Sequence, residues 1–169
     1  ITNLLRFRSV FARDVMTPST VVKSAPVHES ISSFFAKNRD QRFSRIPLYE
    51  NDSHDHIVGY MLKDELLALV AEGGGDAEVS VLRRDIITVH EDWPIVELFN
   101  LFLAKREQIA LVVDAFGGMA GIVTLEDVIE TLLGVEIVDE SDHTEDMQLL
   151  ARRNWERRAR RLGLVDAIE

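Results

Sequence analysis

Hydrophobic positions recur along this chain at two different periods. In 95–105, Ile95, Leu98, Phe99, Phe102 and Leu103 fall at the three- and four-residue spacing that lines one face of a helix. The run Leu111-Val112-Val113 is rich in β-branched residues and is cut off by Asp114-Ala115-Phe116-Gly117-Gly118, a turn composition, so it predicts a strand. Applied to the whole chain, these patterns predict a strand over 20–23, a helix over 31–38, strands over 45–49 and 57–61, and a helix over 64–71. They then predict a strand over 86–89, a helix over 95–105, strands over 109–113 and 121–123, and a helix over 125–133.

The two lists have the same order, and the residues align. Setting Ile31 on Ile95 places Phe34-Phe35 on Leu98-Phe99, Leu48-Tyr49-Glu50 on Val112-Val113-Asp114 and, after a two-residue gap, Gly59 on Gly121. The chain is therefore a tandem repeat with a period of about 62 to 64 residues. Its later copy ends in Gly121-Ile122-Val123-Thr124-Leu125-Glu126-Asp127-Val128-Ile129-Glu130, and its earlier one in the eroded Gly59-Tyr60-Met61-Leu62-Lys63-Asp64-Glu65-Leu66-Leu67.

The expected division is a connecting helix over 1–13, repeats over 14–75 and 76–138 with Gly73-Gly74-Gly75-Asp76 at their junction, and a tail over 139–169. The tail holds an acidic block, Asp139 to Asp146, and an Arg-rich helix around Trp155 that reads as peripheral, with a solvated charged face. The fold class expected is α+β, mixed α/β, with pseudo-two-fold symmetry and a small sheet flanked by two helices in each repeat.

Composition narrows the function. No apolar run reaches the roughly 18 to 20 residues needed to cross a bilayer. The sequence begins at Ile1 without a leader and reads as a piece of a longer protein. With no cysteine, disulfides, thiolate metal sites and thiol nucleophiles are excluded. A net charge of −10 disfavours nucleic acid, and any polyanionic ligand must meet local positive charge, a helix N-terminus or a bound cation.

Thr124 and Asp127 carry the candidate chemistry. A Thr followed three positions later by an acid, where a helix begins, is a capping-box pattern that satisfies orphan backbone N–H groups. The same hydroxyl and carboxylate at a helix N-terminus can instead meet a sugar-phosphate. The first repeat puts Leu62 and Glu65 at these positions, and Leu cannot cap. Gly121 reads as a strand glycine required by close backbone approach. His54-Asp55-His56 has metal-donor types but no third partner in sequence, and reads as a solvated loop; His143 with Asp142 and Glu145 reads the same way. His28 and His90 read as surface residues.

Two repeats ending in Gly-hydrophobic-x-Thr-x-x-Asp or its eroded form resemble a CBS-domain pair, the adenosine-nucleotide-sensing module. More narrowly, Asp14-Val15-Met16-Thr17-Pro18, Ser44 to Glu50, Leu111 to Asp114 with Gly117-Gly118, Gly121 to Glu130 and Glu136 to Asp142 resemble the CorC/CNNM group of membrane proteins linked to magnesium export. That resemblance implies adenine nucleotide, usually ATP with Mg²⁺, bound in a cleft between the repeats. It implies Thr124 and Asp127 on the ribose and nearby phosphate, with Ile122 beside them. It implies Thr17, Ser44, Arg45, Ile46 and Pro47 around the adenine, Arg45 also as local positive charge, and Glu126 near the phosphates as a Mg²⁺ donor. Since Leu62 and Glu65 replace Thr and Asp in the other repeat, one competent site is expected.

The resulting expectation is a regulatory module without catalysis, a homodimer on the cytoplasmic face of a membrane, coupled to its own N-terminal transmembrane domain. Two other readings stand beside it: a structural dimerisation module without nucleotide, and a metal-dependent hydrolase using the His-Asp-His loop.

Overall fold

The computed structural model describes residues 10–140 and 147–163. The chain divides into two compact units, Lys23–Ile86 and a two-segment unit made of Ile1–Val22 with Ile87–Glu169.

In the unit Lys23–Ile86 the order is β2 (Ala25–Pro26), α2 (Ile31–Lys37), β3 (Arg45–Tyr49), β4 (Ile57–Leu62) and α3 (Lys63–Ala71), then a 3-10 turn over Val79–Leu82. The short segments α1 (Ala12–Val15) and β1 (Thr17–Pro18) precede it and belong to the other unit. Ser30 starts α2 as its N-cap, its hydroxyl accepting from Ser33 N at 3.2 Å. β2 runs parallel to β3 through the α2 crossover, and β3 turns antiparallel into β4, giving sheet order β2-β3-β4. Ile31, Phe34, Ile46, Leu48, Met61, Leu66 and Val79 close the core between this sheet and its helices.

The two-segment unit repeats the plan with β5 (Ile87–His90), α4 (Ile95–Lys105), β6 (Ile109–Val113), β7 (Met119–Thr124) and α5 (Leu125–Glu140). It adds α6 (Met147–Arg161) and a fourth strand, in the order β1-β7-β6-β5. The β6–β7 turn is closed by Asp114, whose Oδ1 accepts from Phe116 N and Gly118 N at 2.8 and 2.9 Å, and Gly117 takes φ +80° there. Val89, Ile95, Leu98, Phe102, Val112, Val123 and Val128 form its core, which Val10, Ala12 and Val15 join from the start of the chain and Ala151 from α6.

The elements expected over 31–38, 45–49, 57–61, 64–71, 86–89, 95–105, 109–113, 121–123 and 125–133 are present, with ends moved by a residue or two at most positions and α5 running on to Glu140. The strand expected over 20–23 is not. Val21 N donates to Pro18 O at 3.0 Å, so this β-branched run is a turn, and the paired residues are the flanking Thr17–Pro18 and Ala25–Pro26. Each short strand holds a proline and lies at a sheet edge, where the missing N–H costs no ladder bond. Of the helix expected over 1–13, residues 1–9 lie outside the described residues, while Phe11 bridges to Pro94 and α1 begins at Ala12.

Candidate functional site

The later repeat's motif spans a strand end and a helix start. β7 brings in Ile122 and Val123, both buried, and the chain becomes helical after Thr124. There Asp127 N donates to Thr124 Oγ1 at 3.3 Å, and Thr124 N donates to Asp127 Oδ2 at 3.2 Å. The reciprocal capping bonds expected from sequence are therefore formed. At the matching start of α3, Leu62 makes no side-chain cap.

Beside this junction lies β1, antiparallel to β7, with Thr17 opposite Ile122 and Pro18 opposite Gly121. The glycine follows from that pairing: a Cβ on Gly121 would stand 2.3 Å from Thr17 O. The earlier repeat shows the same device, since Arg84 bridges to Tyr60 and a Cβ on Gly59 would stand 2.5 Å from Arg84 O. Within the two-segment unit the structure thus brings together Thr17, Ile122, Thr124 and Asp127. Glu126 is exposed in the first turn of α5 beside them.

Asp127 is not open to solvent. The Asp127 and Arg158 side chains are only 6% and 9% exposed, and Arg158 Nη1 lies 3.1 Å from Asp127 Oδ1. The same nitrogen is 3.1 Å from Glu130 Oε2, and Arg158 Nη2 donates to Val15 O at 3.4 Å. Burial pushes the Asp127 carboxyl up to about 6, opposed by the Arg158 charge and by the Thr124 hydrogen bonds, with Glu130 adding a smaller upward push. The tail helix is accordingly not peripheral: Ala151 and Ala159 are buried, and Arg158 is held among two carboxylates and a carbonyl. Its other arginines, Arg152, Arg153, Arg157, Arg160 and Arg161, are exposed. Sequence reasoning missed Arg158 and Glu130 at this site. A signal was available, because Ala151, Trp155, Arg158 and Ala159 share one helical face, which marks the side that docks.

The remaining expected residues are in the unit Lys23–Ile86. Ser44 is exposed just before β3, and its carbonyl accepts from Lys63 N at 2.9 Å. Arg45 stands opposite Leu62 and Pro47 opposite Tyr60, while the Ile46 side chain is buried in the core, leaving its backbone as the part able to meet a ligand. Glu65, at the position matching Asp127, pairs with Arg84, both side chains being partly exposed.

His54 stacks against Tyr49, with ring centroids 4.2 Å apart, and its Nδ1 lies 3.2 Å from Ser24 Oγ. Among the described residues no three His, Asp or Glu side chains group as a metal site. His143, Asp142 and Glu145 lie outside them.

Comparison with known proteins bears on this site directly. The family model described as "CBS domain" matches residues 77–134, from before the 3-10 turn into α5. A solved CBS domain of the bacterial CNNM/CorC family Mg²⁺ transporter, in complex with ATP, is 32% identical, with a TM-score of 0.72 over 79% of this chain and 94% of that one. The chain belongs to the CBS domains of the CNNM/CorC family. A CBS-domain pair from Klebsiella pneumoniae with bound AMP is 25% identical, with a TM-score of 0.67 over 74% of this chain and 99% of that one. The magnesium and cobalt efflux protein CorC of Escherichia coli K12 is 29% identical over 149 residues, covering 87% of this chain and 50% of CorC. This CBS chain spans about half the length of that relative. Arg158 and α6 lie beyond the residues matched by the family model.

Proposed function

We propose that this CBS module binds an adenine nucleotide together with Mg²⁺ and acts as the regulatory part of a longer magnesium-transport protein. The observation that carries the reading is the Thr124–Asp127 pair at the start of α5 with Thr17 on the neighbouring strand, which gathers hydroxyl, carboxylate and helix N-terminus in one unit. A carboxylate accepts from the two ribose hydroxyls, while the hydroxyl and the dipole favour the nearby phosphate. The relatives described in complex with ATP and AMP support the same ligand class.

Ser44, Arg45, Ile46 and Pro47 frame the adenine in this reading, as the resemblance implies. Mg²⁺ fits as the nucleotide's companion: Glu126 is one exposed carboxylate, and Mg²⁺ is commonly held by one or two carboxylates plus phosphate oxygens. On a chain of net charge −10, the cation also offsets repulsion of the phosphates. The earlier repeat lacks the cap at Leu62, and its Glu65 is paired with Arg84, so the module takes one nucleotide. Coupling to a transmembrane domain on the cytoplasmic side, through a homodimer, completes the proposal. It requires the nucleotide to bind one conformation better than another. No helix among the described residues is long and apolar enough to cross a membrane.

The completed capping box favours one second reading, in which Thr124 and Asp127 only start α5 and the module is a structural dimerisation unit. Thermal-shift measurements with ATP, ADP and AMP, each with and without Mg²⁺, separate the two. Nucleotide binding raises the melting temperature with a Mg²⁺-dependent step for ATP; no shift with any nucleotide at millimolar concentration leaves the structural reading.

A further inference from the structure

Both oxygens of the proposed ribose acceptor are already engaged. Oδ2 of Asp127 takes the Thr124 N–H, and Oδ1 lies 3.1 Å from the Arg158 guanidinium. Arg158 also reaches Val15 O, two residues before Thr17, and Glu130 one turn along α5. It therefore ties together the two segments that carry the unit's proposed nucleotide contacts. Small residues make this approach feasible: Ala151 and Ala159 are both buried where α6 meets the unit.

We propose that α6 is a built-in competitor of the nucleotide, with Arg158 occupying the Asp127 carboxylate so that the ribose hydroxyls gain access only when this helix end is released. The proposal rests on the nucleotide reading above and adds regulation to it. With the Asp127 side chain only 6% exposed and the Arg158 guanidinium 3.1 Å from Oδ1, the docked helix leaves the ribose hydroxyls no open approach to the carboxylate, although its oxygens keep spare lone pairs. The observed affinity is then the intrinsic one reduced by the fraction of chains with α6 released. Release frees Arg158, so an acidic partner that pairs with Arg158 itself, a contact absent from the docked state, promotes nucleotide binding by linkage. The opposite role for Arg158, as a direct phosphate contact, predicts the opposite response to its removal.

The test is calorimetric titration of ATP with Mg²⁺ into the full chain, wild type against Arg158→Gln, with the exposed Arg157→Gln as control. The expected result is binding about tenfold tighter in Arg158→Gln, with the control at the wild-type value. Wild-type binding with Arg158→Gln unchanged or weaker overturns the competitor while leaving the nucleotide reading intact. No binding in either chain overturns both. If Arg158→Gln does not fold, hydrogen exchange on the wild type decides. Saturating nucleotide accelerates exchange of the 151–161 amides if the helix is displaced, and unchanged or slower exchange overturns the proposal.

Discussion

Asp127 holds three relations at once: it completes the Thr124 cap, it pairs with Arg158, and it is the proposed sugar acceptor. The cap was legible in sequence because both partners lie within four residues. The ion pair was not, because its partner is 31 positions away, on a helix whose many arginines look alike. The energetic consequence is a carboxyl pushed up to about 6 by burial, more than the guanidinium and the Thr124 bonds pull it down. A folded-state value above the unfolded value of 3.8 means the folded chain holds this proton more tightly. The contribution of Asp127 to stability is then greatest at low pH and falls as pH rises from about 4 to about 6. Arg158 and Glu130 are the charged groups facing it. Urea midpoints of wild type and Asp127→Asn across this range test the sign: the wild type loses ground to the variant as pH rises. A constant difference would show that the carboxyl is not perturbed.

Among the elements, periodicity located α2, α4 and the two strand pairs because their apolar faces have no competing pattern. It failed at 20–23, where Thr20-Val21-Val22 has strand composition but Pro18 and the Val21-to-Pro18 bond fix a turn. Gly121 signalled a close backbone approach, but the pairing of β1 with β7 was not legible, because a two-residue strand carries no period. Gly121→Ala drives a Cβ to within 2.3 Å of Thr17 O, a backbone atom that cannot step aside without opening the pair. The expected cost is about 1 to 3 kcal/mol, measured by urea unfolding. Retention of wild-type stability would mean that β1 yields at no cost. If Thr17 contacts the nucleotide as proposed, titration of ATP with Mg²⁺ shows weaker binding in this variant as well, because Thr17 rides on this strand.

For the whole molecule, the repeat explains both the doubled plan and its unequal halves. In each unit a segment from outside the repeat's own hairpin lies along its last strand, Thr17–Pro18 on β7 and Arg84 on β4, with a glycine at each crossing. What the halves do with the following helix differs. One begins with a Thr–Asp cap closed by Arg158, and the other with Leu62 and a Glu65–Arg84 pair. Duplication was readable from aligned residues, and erosion of one half drew attention to the Thr124–Asp127 motif of the other; the docking of the tail helix needed the structure, since the face shared by Ala151, Trp155, Arg158 and Ala159 marks a side that docks but not the carboxylates that Arg158 meets. The central claim is one nucleotide per chain, held through Asp127. Isothermal titration of ATP with Mg²⁺ into wild type and Asp127→Ala tests it most directly, with circular dichroism to verify that the variant is folded. The account predicts a stoichiometry of about one for the wild type and loss of binding in the folded variant. Equal affinity in the two chains would contradict it.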